Sequence, residues 1–438
     1  MTNAFGERFR ILTFGESHGR GVGVVIDGVR PGLDFDVEAI QKELDRRRPG
    51  QSELVSPRPE ADRVEVISGV FEGKTLGTPI CLIIPNRHQD SDNYQALREV
   101  FRPGHGGYAV LKKYGIRDHR GGGRLSGRET AARVAAGALA KRELARENIR
   151  IIAYTREIDG IAARTVDLNE IENNPLRCPD RDAAREMAER VLLHKSRGDS
   201  VGGIVEVLAR NVPPGLGDPV FQKLDAELAG ALMSIGGVKG VEIGEGFQVA
   251  RMRGSQNNDP MDRHGFRTNH AGGILGGIST GQEILARIAV KPTPSINKPQ
   301  DTVDIHGRER RISIEGRHDP CICPRIVPVA EAMVALVLYD ALLRQRDLEE
   351  TETTLEGLRK EIDGVDHRIV ELLARRNEIS REIGEYKRRR GLEIRDRERE
   401  SRLLEQRTQW ALESGLDTAL VGEIFDLLLR GSREIQSR

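Results

Sequence analysis

From Leu355 onward the apolar residues fall alternately three and four apart: Leu355, Leu358, Ile362, Val365, Ile369, Leu372, then Ile379, Ile383 and Tyr386. Glycine and proline nearly vanish over the same stretch, and Arg, Glu and Leu take over. Such spacing is an a/d seam and specifies one long helix. At 1.5 Å per residue, about 35 residues make a rod roughly 50 Å long. No small domain covers an apolar stripe of that length, so the seam predicts a partner, most simply a second copy of the chain. Two further helices are predicted at about Arg395–Ser414 and Asp417–Gln436, with "ESGLD" supplying a Gly stop and an Asp start between them. Residues 355–438 therefore read as an all-α, three-helix domain, joined through a polar linker at 347–354.

Residues 1–346 have a different texture. Most of the 48 glycines lie there, and short β-type runs ("RILTF", "GVGVVIDG", "RVEVISG", "PICLII", "IRIIAY", "GGIVEVLA", "EILARIAV") mix with helical patterns at Val37–Arg47, Gly127–Arg146, Arg181–His194, Pro219–Met233 and Val327–Arg344. Strict βαβ alternation is lacking, which favours a layered α+β domain. Lys+Arg and Asp+Glu are both 68 and aromatics are 4%, so no global field gathers nucleic acid and any anion site is local. Runs such as "VALVLYDALL" fall short of the roughly 18 residues a membrane span needs. "MTNAFGERFR" does not read as a signal peptide. Four scattered cysteines form neither a disulfide framework nor a zinc motif. A cytoplasmic, metal-free protein is expected.

The segment "HRGGGRLSGRET" concentrates anion-binding features. Ser126-x-x-Glu129 is a capping box, placing a helix N-terminus just after Gly121–Gly123 and Arg124. Free N–H groups, pliable glycines and Arg124/Arg128 would cradle an anion; the competing reading is a tight turn with solvated arginines. "GESHGRG" sets Ser17 and His18 on a turn, and "RPGHGG" gives His105 a glycine-flanked setting. "LDRRRPG" carries Arg46–Arg48, and "GRHDPCICPR" offers Arg317, His318, Asp319 and Arg325. Imidazoles beside guanidinium groups suit an enzyme that expels phosphate, because charge on the leaving oxygens must be neutralised.

These blocks, with "DRRRPGQS", "SGVFEGKTLGTPI", "GSQNND", "NHAGGILGGISTGQ", "KPTPSI" and "VPVAEAM" in order from Phe5 to Arg346, resemble chorismate synthase. The resemblance implies a trans-1,4-elimination of phosphate from 5-enolpyruvylshikimate-3-phosphate, giving chorismate, with reduced FMN as cofactor and no net redox change. By motif position, His18 resembles the acid for the departing phosphate, His105 the group that protonates the reduced flavin, and Asp319 a residue managing a flavin-ring proton. Arg47, Arg48, Arg128 and Arg325 resemble substrate-anion ligands. FMN contacts are implied at Arg124, Leu125, Ser126, Gly236, Gly237, Gly276, Lys291, Pro292, Thr293, Pro294, Ser295 and Arg317. Relatives commonly read "RPGHADYTY" and "RSSARET" where this chain has "RPGHGGYAV" and "RLSGRET". The departures are Gly106, Gly107 and Leu125, and Glu53 stands where an Arg is common.

In the tail, the seam continues onto Arg376, and a guanidinium on an apolar stripe is costly unless an anion meets it. Lys387 shares its face; Asp396, Arg399, Glu400 and Leu403 align on the second helix, and Phe425, Ser432 and Gln436 on the third. The pattern alone leaves open a plain dimerising bundle with rim salt bridges. "LEGLRKEIDGVDHRIVELLARRNEI", "RDRERE" and "IFDLLLRGSREIQ" resemble the all-helical chorismate mutase class. That likeness implies pocket residues Arg359, Arg376, Lys387, Asp396, Arg399, Glu400, Ser432 and Gln436, with Arg359 lent to a second subunit's site. It also implies a cofactor-free Claisen rearrangement of chorismate to prephenate, with Glu400 protonated through burial. The expectation is a bifunctional enzyme acting on small molecules and self-associating through both domains, most simply as a homotetramer, with no nucleic-acid or membrane partner. The alternative is a chorismate synthase whose tail is a non-catalytic dimerisation or regulatory module.

Overall fold

The computed structural model describes residues 3–437, apart from 57–59, 88–96, 315–317 and 354. The chain forms two compact units, Met1–Arg346 and Asp347–Arg438.

In the first unit, alternating apolar residues build two five-stranded sheets. One contains β1 (Ala4–Phe5), β2 (Arg10–Gly15), β3 (Gly21–Asp27), β4 (Glu65–Ser68) and β5 (Ile80–Pro85), in the order β1-β2-β3-β5-β4. The other contains β6 (Arg150–Ile158), β7 (Ile161–Ala162), β8 (Gly203–Arg210), β9 (Val238–Ile243) and β10 (Ile284–Val290), in the order β9-β10-β8-β6-β7. Every pairing in both sheets is antiparallel, so no βαβ crossover is needed. The helices longer than one turn are α1 (Val37–Arg47), α2 (Gly107–Tyr114), α3 (Thr130–Arg146), α4 (Arg181–Ser196), α5 (Leu224–Met233) and α6 (Cys323–Thr353), which runs past the end of this unit.

α3 touches β2, β3 and β5 of one sheet and β6 of the other. A helix between two sheets must be apolar or small on nearly every side, and "TAARVAAGALA" is so except at Arg133, which turns to Glu129 and Ser234. Gly137 allows α6 to cross it: a Cβ there would lie 2.4 Å from Ala332 Cβ. α6 is buried from Val327 to Leu343 and carries two carboxylates to fixed places. Asp340 accepts the backbone N–H groups of Glu7, Arg8 and Phe9 at 2.7–3.0 Å, and Glu331 accepts that of Ala153 in β6 at 3.0 Å. Pro328 cannot donate to the Pro324 carbonyl, and Arg177 Nη1 takes that carbonyl instead at 2.7 Å.

Several expectations change here. Cys323–Glu349 is long and apolar enough to cross a membrane, with a mean hydropathy of 2.0 in its richest window, although that window is entirely buried within the protein. It is the core helix. The polar stretch expected as a linker carries helix as far as Thr353. The helix expected from Pro219 starts at Leu224, because Asp218 N–H bonds back to Gln222 O and closes a loop. α2 and β9 were not predicted as elements.

The second unit contains α7 (Leu355–Arg390), α8 (Arg397–Glu413) and α9 (Thr418–Ser437). Asp417 starts α9 by accepting from Ala419 N–H, and Gly415, at φ 70°, closes α8. Among the described residues of this unit only Ser380, Gly384, Ala411 and Ser432 are buried. Leu358, Ile362, Val365, Ile369 and Leu372 lie exposed along α7.

Candidate functional site

The three consecutive arginines of "DRRRPG" leave the end of α1 in three directions. Arg46 joins Glu43, Glu172 and the buried Glu331 at 2.6–2.7 Å. Arg48 is the exposed C-cap. Arg47, only 1% exposed, enters a cavity of about 390 Å³, within the range of small-molecule sites, roughly 300–1,000 Å³. Five cations line it, Arg47, Arg102, Arg128, Lys291 and Arg325, against the carboxylates of Glu60 and Asp319.

The arginines are held by the protein's own carboxylates. Arg47 Nη1 meets Asp62 Oδ2 at 2.5 Å, and Arg128 Nη1 takes the other oxygen of Asp62. Arg325 Nη1 pairs with Asp319 Oδ2 at 2.7 Å, while Asp319 Oδ1 accepts Ser56 N–H at 2.8 Å. Burial, with Arg325 and Arg128 nearby, pushes Arg47 down to about 10 despite Asp62.

The glycine loop works by close approach. A Cβ on Gly121 would lie 2.3 Å from His18 Cδ2, and one on Gly122 would lie 2.8 Å from His105 Nε2. Both glycines have positive φ, so no other residue type fits without strain. His18 is buried on its turn between β2 and β3. His105 Nδ1 accepts Gly107 N–H at 3.2 Å, and its Nε2 lies 3.0 Å from Arg102 Nη2. Burial first, then Arg102, Lys291 and Arg117, push His105 down to about 3, so its imidazole is neutral near pH 7.

The capping box forms only in part: Ser126 accepts Arg128 N–H at 3.3 Å, but Glu129 turns to Arg133 at 2.8 Å. The departures Leu125 and Gly106 fit each other, since a Cβ on Gly106 would lie 2.5 Å from Leu125 Cδ1. The larger side chain at 125 occupies the room that glycine leaves at 106.

Leu125, Ser126, Gly236, Gly237 and the run Lys291–Ser295 also line the cavity. Arg124 does not; it donates to Thr13 Oγ1 and the Gly15 carbonyl on β2. His18, Arg48 and Gly276 are likewise absent from the lining, Gly276 sitting in the turn between Ile274–Leu275 and Ile278–Ser279. Arg317 lies outside the described residues. The sequence reading passed over Arg102, Glu60 and Asp62. Arg102 was legible in "FRPGH", where an arginine three residues before a glycine-flanked histidine fits the same anion chemistry.

In the helical unit, Arg376 Nη1 donates to Leu428 O at 3.0 Å and to Ser432 Oγ, which is 3.2 Å from Ser380 Oγ. Lys387 Nζ reaches the Ile394 carbonyl, and Asp396 caps α8 through Arg399 N–H at 2.9 Å. Gln436 packs on Gly384, with its Oε1 buried and unpartnered among the described residues. Glu400 pairs with Arg433 at 2.9 Å and Arg395 at 3.5 Å; it is an ion-pair acceptor here, not the isolated buried acid expected. Arg399 and Arg359 are exposed. Arg407, also passed over, stacks on Trp410 with its Nε buried and unpartnered among the described residues. Burial, then Arg407, lowers the pKa of Arg376.

Comparisons with known proteins agree with this division. The family model described as chorismate synthase matches residues 9–343, and the one described as chorismate mutase type II matches 358–437. Chorismate synthase of Methanosarcina acetivorans is 58% identical over 351 residues, covering 78% of this chain and 96% of the relative. That of Syntrophus aciditrophicus is 56% identical over 347 residues, covering 78% and 98%. A crystal structure of chorismate synthase superposes with a TM-score of 0.61 at 33% identity, covering 83% of this chain and 99% of that one. The chain belongs to the chorismate synthase family and carries a chorismate mutase type II domain behind it.

Proposed function

We propose that the first domain eliminates phosphate from 5-enolpyruvylshikimate-3-phosphate to give chorismate and that the helical domain rearranges chorismate to prephenate. The carrying observation is the convergence of Arg47, Arg128 and Arg325 with His105 and Lys291 on one cavity. Guanidinium forks suit the phosphate and carboxylates of such a substrate. His18 does not itself line the cavity but abuts Gly121, which does, and from there it would keep a proton for the departing phosphate oxygen.

The cavity also suits FMN. Ile235, Ile322, Ile326 and Val329 supply an apolar wall, Gly236 and Gly237 permit close approach, and Thr293 Oγ1 is buried with no partner among the described residues. Reduced FMN, when bound, supplies a transient electron source for breaking the C–O bond. Arg102 and Lys291 would face its negative charge, and the neutral His105 could accept or return a proton beside it.

In the helical domain, Arg376, Lys387, Ser432 and Gln436 would hold the chorismate dianion in its reactive conformation, without a cofactor. Arg359 is 17 residues from Arg376 on one helix, roughly 25 Å along the axis, so it would serve a second copy's site. The exposed seam of α7, and Phe221, 95% exposed in the first domain, support self-association through both domains, most simply as a homotetramer. Four unpaired cysteines accord with a cytoplasmic setting.

Incubating the intact enzyme anaerobically with reduced FMN and the phosphorylated substrate should give prephenate. Chorismate accumulating alone would leave the tail non-catalytic, and failure to release phosphate would refute the first activity.

A further inference from the structure

Asp62 belongs to no helix or strand, and no motif pointed to it. Its carboxylate is fully buried, and its backbone is left-handed at φ 49°, a region residues with a Cβ seldom occupy. α1 pins it there: Gln41 Nε2 donates to the Asp62 carbonyl at 3.3 Å, while Gln41 Oε1 accepts Val64 N–H at 3.1 Å. The two carboxylate oxygens divide between two guanidinium groups, Oδ2 to Arg47 and Oδ1 to Arg128.

Neutral acceptors hold the remaining edges of both arginines. Arg47 donates to Thr130 Oγ1 and the Gly127 carbonyl at 3.2 and 3.0 Å. Arg128 donates to Asn86 Oδ1 and the Pro85 carbonyl at 2.7 and 3.0 Å. Asp62 is thus the carboxylate the two share, with Arg325 standing close enough to add to their repulsion. Burial alone would raise the Asp62 pKa; Arg47 and Arg128 overcome it and hold the carboxyl below its ordinary value.

We propose that Asp62 is the positioning residue of the substrate-anion clamp, bridging Arg47 and Arg128 so that their separation is preset and the pair keeps one net positive charge for phosphate or carboxylate. The proposal rests on the reading that these two arginines bind substrate anions. Asp62 is fully buried and absent from the cavity lining, so it would act through its neighbours.

The test is anaerobic steady-state kinetics of the intact enzyme, with inorganic phosphate as a competing probe. Leaving two buried guanidinium groups without their carboxylate should raise KM for Asp62→Asn roughly 10- to 100-fold. Phosphate inhibition should weaken in parallel, while kcat, FMN affinity and prephenate formation from added chorismate stay nearly unchanged. Combined with Arg128→Gln, the loss should be less than additive. A merely structural role would instead lower the melting temperature and FMN affinity together and add to Arg128→Gln. If Asp62→Asn fails to fold, Asp62→Glu decides: a raised KM at unaltered FMN affinity supports the clamp, and an unaltered KM overturns it. Should Arg47→Gln and Arg128→Gln leave KM untouched, the site reading itself fails; should they raise KM while Asp62→Asn does not, only the role of Asp62 falls.

Discussion

In the first domain Arg47, Arg128 and Arg325 meet Asp62 and Asp319 within one subunit. In the helical domain Arg376 and Arg407 stand near one another with no ion pair among the described residues. The first cluster sits beside a core that draws on α3 between Ala131 and Leu144 and on α6 between Cys323 and Leu343, which can hold buried charges in one geometry. The second sits in a unit whose described residues bury almost nothing apolar. A site can be finished inside one chain only where that chain has enough core to fix it.

If the two sites work independently, single substitutions should separate them. His18→Ala should slow phosphate release by about 10²- to 10⁴-fold, while prephenate still forms from added chorismate and FMN still binds, as read by flavin fluorescence. Arg376→Ala should do the converse, cutting prephenate formation by about 10²- to 10³-fold with phosphate release unaltered. Loss of both activities from either change would break the comparison.

The core's role is tested by Glu331→Gln, which removes the buried carboxylate from Arg46 and Lys141 and leaves them sharing Glu43, and should cost about 1–3 kcal/mol of first-domain stability in chemical denaturation. Lys141 and Arg46 overcome burial and hold Glu331 at about 2. Because the folded-state value is depressed, its contribution is present above the ordinary carboxylate range and is lost as pH falls through about 2. Melting temperatures followed from pH 6 to pH 2 should show that loss in the wild type and not in Glu331→Gln.

Dependence on a second copy is tested by Leu372→Glu on the exposed seam. Light scattering should show a smaller assembly, and mutase activity should fall more than about tenfold, since a second copy's Arg359 would leave the site. Synthase activity should hold to about twofold.

The electrostatics of the first cavity predict that His105 stays neutral down to about pH 4, followed by its NMR ring-proton shift. Its depressed value means a stability contribution present above the ordinary histidine range and lost as pH falls toward about 3. Leu125→Ser should have the smallest effect, a few-fold rise in KM for FMN from a cavity beside Gly106. Adding Gly106→Ala should recover part of it, because the new methyl occupies the vacated room.

Elements with strong periodicity were legible. α1 runs from Val37 to Arg47 as its pattern indicates, and "GVGVVIDG" and "EILARIAV" are central strands. β9 was missed because Gly240 interrupts its short alternation, and the register slips there. α2 was missed because glycines flank it and Gly106 offers no side-chain cap. The site was legible as residue types and not as geometry: "RRR" does not tell which arginine enters the cavity, and "GGG" does not reveal that two of its glycines make room for histidines about 100 and 17 residues away in sequence.

By itself the sequence determined the two textures of the chain, the long amphipathic helix and its call for an apolar partner, and the gathering of arginines and histidines in glycine loops. These follow from local periods and local backbone freedom. Only the tertiary structure decided which charges meet: Arg46 with Glu331, 285 residues apart, Arg128 with Asp62, and His18 against Gly121. Charge pairing depends on distance in space and on exclusion of water, and neither is written in the spacing of residues along a strand or helix.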